Sequence, residues 1–95
     1  MAAYIIADVE VTNPTEYAEY RRRVPATLEP FGGEFIVRGG RTEALEGGWA
    51  PGRLVVLKFD SWERARAWYT SAAYQAILPL RHRNSRGRLV LVEGV

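Results

Sequence analysis

The sequence contains no cysteine, one histidine, one lysine and one methionine in 95 residues. Without cysteine there are no disulfides, no thiolate metal ligands and no cysteine nucleophile. A single histidine, His82, leaves any metal site dependent on carboxylates, so no metal centre is expected. A single lysine, Lys58, is the only residue able to form a Schiff base, and its place near a strand end reads more simply as a solvated charge. No stretch has the length and apolarity of a membrane span. The opening Met1-Ala2-Ala3-Tyr4 lacks the basic-then-apolar pattern of a signal peptide. These absences together predict a cytoplasmic chain with no membrane partner.

Apolar residues make up 47% of the chain and aromatics 12%, enough for a globular core. The length fits one domain over residues 1–95. Net charge is only +2, and the pI near 9.3 reflects scattered arginines. Arg21-Arg22-Arg23 spreads around a helix instead of massing on one side, so a nucleic-acid partner is not expected.

Two similar halves, each strand–helix–strand, meet near Glu34–Gly40. Tyr4–Val11 alternates as a first strand. Asn13-Pro14-Thr15-Glu16 supplies an N-cap, a proline at the first helical position and a capping-box acid. The helix that follows carries an apolar stripe at Tyr17, Tyr20, Val24, Leu28 and Phe31, with Pro25 expected to kink or divide it. Glu34–Arg38 reads as strand two, with Arg41–Leu45 as an extension beyond a bulge at the glycines. Arg53–Phe59 is strand three. Ser61 caps a helix with Trp62, Ala65, Trp68 and Tyr69 inward, and Ser71 caps a second one that Pro79 bends. Asn84–Gly87 reads as a turn before strand four, Arg88–Val92. The order predicts an α+β, ferredoxin-like βαββαβ fold with a four-stranded antiparallel sheet and its helices on one side.

Alternation divides the strands into two faces. One holds Ile5, Ala7, Val9, Phe35, Val37, Val55, Leu57, Phe59, Val90 and Val92, for the helices to cover. The other holds Tyr4, Ile6, Ile36, Leu54, Val56, Leu89 and Leu91, with Asp8, Glu10, Glu34, Arg38 and Lys58 among them. Each apolar side chain on that second face is worth about 1.5–3 kcal/mol if fully buried. No third layer of helices exists to bury it, so a two-fold homodimer packed sheet on sheet is expected.

Four residues stand out as ligand-binding candidates: Arg38, Tyr69, Tyr74 and Arg81. A guanidinium binds a carboxylate with two parallel hydrogen bonds, and tyrosines beside it would wall a pocket for a small acidic or aromatic metabolite. The plainer readings stand beside these. Arg38 would neutralise Asp8 and Glu10 at the same end and face of the sheet, the tyrosines would be core, and Arg81 would snorkel. His82 titrates near neutrality and is the candidate proton carrier, although it sits between two arginines on an exposed segment. Trp49, in the loop Gly47–Gly52, is large and apolar for a loop tip and is expected to cover something.

Several runs carry a family likeness. They are Val11-Thr12-Asn13-Pro14 with Tyr17 and Tyr20, then Phe31-Gly32-Gly33 with Phe35, then Val37-Arg38-Gly39-Gly40 and Leu45-Glu46-Gly47 with Trp49. Further on come Ala65, Trp68-Tyr69, Ser71, Tyr74-Gln75, Leu78-Pro79-Leu80-Arg81 and the closing Leu89–Val95. Over nearly its whole length the chain resembles the bacterial family numbered thirteen-thirty among the domains of unknown function. The resemblance implies a dimeric α+β barrel, with Arg38, Tyr69, Tyr74 and Arg81 shared, and it implies no particular reaction. Two functions follow as expectations: an enzyme free of metal and organic cofactor acting on a small acidic or aromatic metabolite, or a non-catalytic dimer that binds a ligand or merely assembles.

Overall fold

The computed structural model describes residues 1–95. β1 (Ala3–Val11) is the central pattern: Ala3, Ile5, Ala7 and Val9 are buried while Tyr4, Ile6 and Asp8 between them are half-buried. This is the period-two signature of a strand with one fully covered face. α1 (Pro14–Leu28) starts where Asn13 accepts a hydrogen bond from the Glu16 N–H at 3.2 Å. It buries Tyr17, Tyr20, Val24 and Leu28 against the sheet, and a short 3-10 turn at Glu29–Phe31 ends it. Pro25 leaves α1 continuous. β2 (Glu34–Arg38) and β3 (Arg53–Phe59) follow, then α2 (Trp62–Thr70), α3 (Ala72–Asn84) and β4 (Ser85–Glu93). Ser61 and Ser71 cap α2 and α3 through the Arg64 and Tyr74 N–H groups.

The sheet is antiparallel throughout in the order β2-β3-β1-β4. With the helices on one face, this is the α+β ferredoxin-like architecture. Trp68, Tyr74, Phe59 and Val9 are the largest fully buried side chains. The polar atoms around Trp68 are paired: its indole donates to the Thr27 hydroxyl at 3.0 Å, and that hydroxyl donates to the Val24 carbonyl at 2.6 Å.

Four features differ from the sequence reading, two of them through register. The bulge lies inside β2, between Phe35 and Val37, and not at the glycines. Phe35 stands opposite Leu57, but Arg38 stands opposite Val55, so both point to the helix side. Arg38 therefore shares an end with Asp8 but not a face, and Val37 turns outward opposite Val56. Residues Arg41–Leu45 form no strand. β4 begins at Ser85 directly after α3, with no turn between, and α3 runs through Pro79 to Asn84. Leu89 pairs with Ala7 and Leu91 with Ile5, which places these leucines on the helix side and Val90 and Val92 on the outer side. One residue of phase exchanges the two faces of a strand.

The outer face remains apolar after this exchange. Tyr4, Ile6, Leu54 and Val56 are half-buried, and Ile36, Val37, Val90 and Val92 are exposed. Trp49 folds onto its edge. The indole N–H donates to Asp8 Oδ2 at 3.0 Å, and the Gly52 N–H donates to Asp8 Oδ1 at 3.3 Å. Arg88 lies 3.7 Å from the same carboxylate.

Candidate functional site

Between the helix side of the sheet and α1 lies a cavity of about 40 Å³. Its walls come from all four strands and from α1, α2 and α3. β1 and β3 give the aliphatic floor, and α1 lays Tyr17, Tyr20 and Val24 along it at helical spacing. Trp68 of α2, with Tyr74 and Arg81 of α3, closes the back. Arg53 enters from the start of β3, and Arg21 and Arg38 stand at the rim, both exposed.

The charge of this site is one-sided. Arg21, Arg38, Arg53 and Arg81 line the cavity, and no aspartate, glutamate or histidine does. The ion pairs of the fold are made elsewhere, by Arg22 and Arg23 with Glu19 and by Arg88 with Asp8. Arg81 is 94% buried, and its Nε has no hydrogen-bond acceptor in the protein. The same is true of Nε of Arg53. Buried guanidinium groups normally carry a partner, because an unpaired buried charge is costly. Two arginines that line one cavity thus each keep a buried Nε–H for which the chain supplies no acceptor.

The hydroxyl groups complete the polar lining. Tyr20 and Tyr74 hydroxyls are 2.8 Å apart and buried. Burial, reinforced by Tyr74, pushes the Tyr20 phenol well above the usual tyrosine range. Burial also raises Tyr17, against the opposing pull of Arg53 and Arg81. Both are therefore neutral phenols at physiological pH, able to donate a hydrogen bond but not to act as bases.

Arg38 is fixed by a feature of the sequence. Pro25 has no N–H, so the carbonyl of Arg21, four residues earlier, loses its helical partner. Arg38 Nη2 reaches that carbonyl at 3.5 Å, and its guanidinium lies 4.1 Å from the centre of the Phe35 ring. The bulge in β2 makes this possible by turning Arg38 to the helix side.

Of the candidates read from sequence, Arg38, Tyr74 and Arg81 come together around this cavity. Tyr69 does not line it. Its ring packs 5.6 Å from that of Tyr74 and faces a neighbouring groove beside β4. His82 is exposed and outside the lining, although its Nε2 lies 3.4 Å from Arg81 Nη2. Sequence reasoning did not single out Arg53, Tyr17 or Tyr20. Tyr17 and Tyr20 were hidden in an ordinary amphipathic stripe, and Arg53 looked like a strand-edge charge. The one available signal was that Arg53 opens an otherwise apolar strand.

The profile of the family described as "Domain of unknown function (DUF1330)" matches residues 2–95. The chain belongs to the DUF1330 family. No curated protein matches it. This DUF1330 chain is similar in structure to a protein of unknown function from Rhodopseudomonas palustris, with a TM-score of 0.78 and 15% identity over 99% of this chain and 82% of that one. It is also similar to SnoaB, a cofactor-independent oxygenase from Streptomyces nogalater, with a TM-score of 0.68 and 12% identity over 99% and 93%. A dimeric ferredoxin-like protein of unknown function from Thermobifida fusca gives a TM-score of 0.56 and 18% identity over 99% and 92%. At these identities the likeness is one of fold.

Proposed function

We propose that this DUF1330 chain is a binding protein for a small organic acid, held in the cavity between α1 and the sheet. The observation that carries this reading is the buried Arg81, without a carboxylate partner, beside Arg53 in a cavity with no acidic residue. A bound carboxylate would pair with the two guanidinium groups and neutralise their charge. Arg53 and Arg81 hold the anion, Tyr17 donates a further hydrogen bond, and Arg38 and Arg21 draw the acid to the rim.

A cofactor-free enzyme is the second reading, supported by the neutral phenols beside the cationic end and by the fold shared with SnoaB. Such chemistry would use Tyr17 and the arginines to stabilise an oxyanion. Proton abstraction has no base within the lining, and His82 would act only through Arg81.

The assembly belongs to the same reading. The outer sheet face presents eight apolar side chains with no helix over them, and the similar Thermobifida fusca protein is described as dimeric. A second copy packed face to face would bury them and leave both cavities on the outside of the double sheet.

Isothermal titration with a panel of small organic acids tests the binding. Wild type is expected to bind at least one member, and Arg81→Gln is expected to weaken that member more than tenfold while keeping the wild-type circular dichroism. Retention of full affinity in both Arg53→Gln and Arg81→Gln overturns the proposal.

A further inference from the structure

The cavity is polarised along the strands, and this restricts the kind of acid it accepts. Antiparallel register fixes the ends. Arg53 stands opposite Val9, Val55 opposite Ala7 and Leu57 opposite Ile5. Arg38 is level with Val55, and Phe35 is level with Leu57. Arg53 and Leu57 are four residues apart on one strand, roughly 13 Å at strand rise.

The helices repeat the gradient. α1 turns back from the end of β1, so Tyr17 lies at the Arg53 end and Val24 lies two turns further along. The C-terminus of α3 is tied to that same end, because the Asn84 carbonyl accepts from the Thr12 and Asn13 N–H groups at 2.9 and 3.2 Å. Arg81, one turn before Asn84, is thereby placed beside Arg53 and Tyr17, and both arginines act on the Tyr17 phenol. The far end is Leu57, Phe35, Val24 and the Trp68 indole, whose N–H is already given to Thr27. Apart from the exposed Arg38, whose guanidinium stacks 4.1 Å from the Phe35 ring centre, it offers no free donor and no charge.

We propose that the ligand is a short monocarboxylic acid with an uncharged, apolar body. This rests on the reading of the cavity as an acid-binding site. The carboxylate lies between Arg53 and Arg81 within reach of Tyr17, and the body points along β3 toward Leu57 and Phe35. A dicarboxylate would place its second charge against a wall that is apolar but for Arg38, which is exposed at the rim and already donates Nη2 to the Arg21 carbonyl. Phosphate would satisfy the arginines but leave the apolar end without a partner. Size sets the chain length. A buried water needs roughly 10–15 Å³ of such space, so the cavity holds about three waters, or an acid of about four to six non-hydrogen atoms.

The test is titration of the full chain with acetate, propionate, butyrate, malonate and inorganic phosphate at constant ionic strength. It is followed by calorimetry and by the indole N–H signals in proton–nitrogen spectra. Propionate or butyrate is expected to bind at least tenfold more tightly than malonate or phosphate, and to move the Trp68 indole signal. Leu57→Asn is expected to remove the preference for butyrate over acetate while acetate still binds. Should that variant fail to fold, the chain-length series on wild type decides the matter: affinity that does not rise from acetate to propionate overturns the apolar-body assignment. Malonate or phosphate binding as tightly as propionate overturns this inference but leaves the acid site standing. No binding of any anion removes both.

Discussion

The hydroxyls of Tyr20 and Tyr74 meet at 2.8 Å across the α1–α3 interface, 54 residues apart in sequence. Each is buried among aromatic rings, with Tyr17 and Tyr20 centroids 5.4 Å apart and Trp68 and Tyr74 only 4.1 Å apart. Removing one hydroxyl strands the other. Tyr20→Phe or Tyr74→Phe should each cost about 1–3 kcal/mol in urea denaturation. The double variant should cost clearly less than the sum of the two, because no orphan is left. Strict additivity would show that the pair is not a hydrogen bond.

The raised phenols of Tyr17 and Tyr20 make stability depend on pH on the alkaline side. Below the unfolded-chain value near 10, both states keep their protons and stability is at its full value. Above it the unfolded chain ionises first and binds fewer protons than the native state. Stability then falls as pH rises, by up to about 1.4 kcal/mol per pH unit for each tyrosine. Urea midpoints at pH 8, 9, 10 and 10.5 should stay level and then drop. Tyr20→Phe should flatten the drop.

Gly39 serves Arg53. Its φ of +70° is a conformation that a Cβ disfavours, and a Cβ there would overlap the Arg53 guanidinium. Gly39→Ala should therefore destabilise by about 1–2 kcal/mol and weaken acid binding by displacing Arg53. Gly40 has open space around it, so Gly40→Ala should change binding less than twofold. Equal effects from the two substitutions would contradict the role given to Gly39.

The outer face should control assembly. Val90 and Val92 are 57% and 43% exposed and lie on strand β4 with Ile6 and Tyr4 beside them. Light scattering should report a two-chain species for wild type at micromolar concentration. Val90→Glu combined with Val92→Glu should give a folded single chain. A wild-type monomer, or a double variant that still dimerises, would refute the sheet-to-sheet arrangement.

Much of the architecture is legible in local chemistry. Asn13-Pro14 starts α1, Ser61 and Ser71 start α2 and α3, and the alternation in β1 names its buried face without reference to any partner. The candidate site was legible only in part. Arg81 and Tyr74 lie on a helix whose caps fix its phase, so their inward direction follows from spacing. Arg38 did not follow, because a bulge one residue long inside β2 reversed its side. β4 likewise had two possible phases until its pairing with β1 fixed one.

The sequence by itself determined the order of strands and helices, the helix caps, the apolar excess on the sheet and the membership of a family. Only the tertiary structure decided which side chains share a wall. Helical direction is settled within a few residues by local hydrogen bonds, whereas a strand's inside and outside are settled by the neighbour it pairs with. That is why Arg53, Tyr17 and Arg81, drawn from β3, α1 and α3, become one cationic end only when the sheet has closed over them.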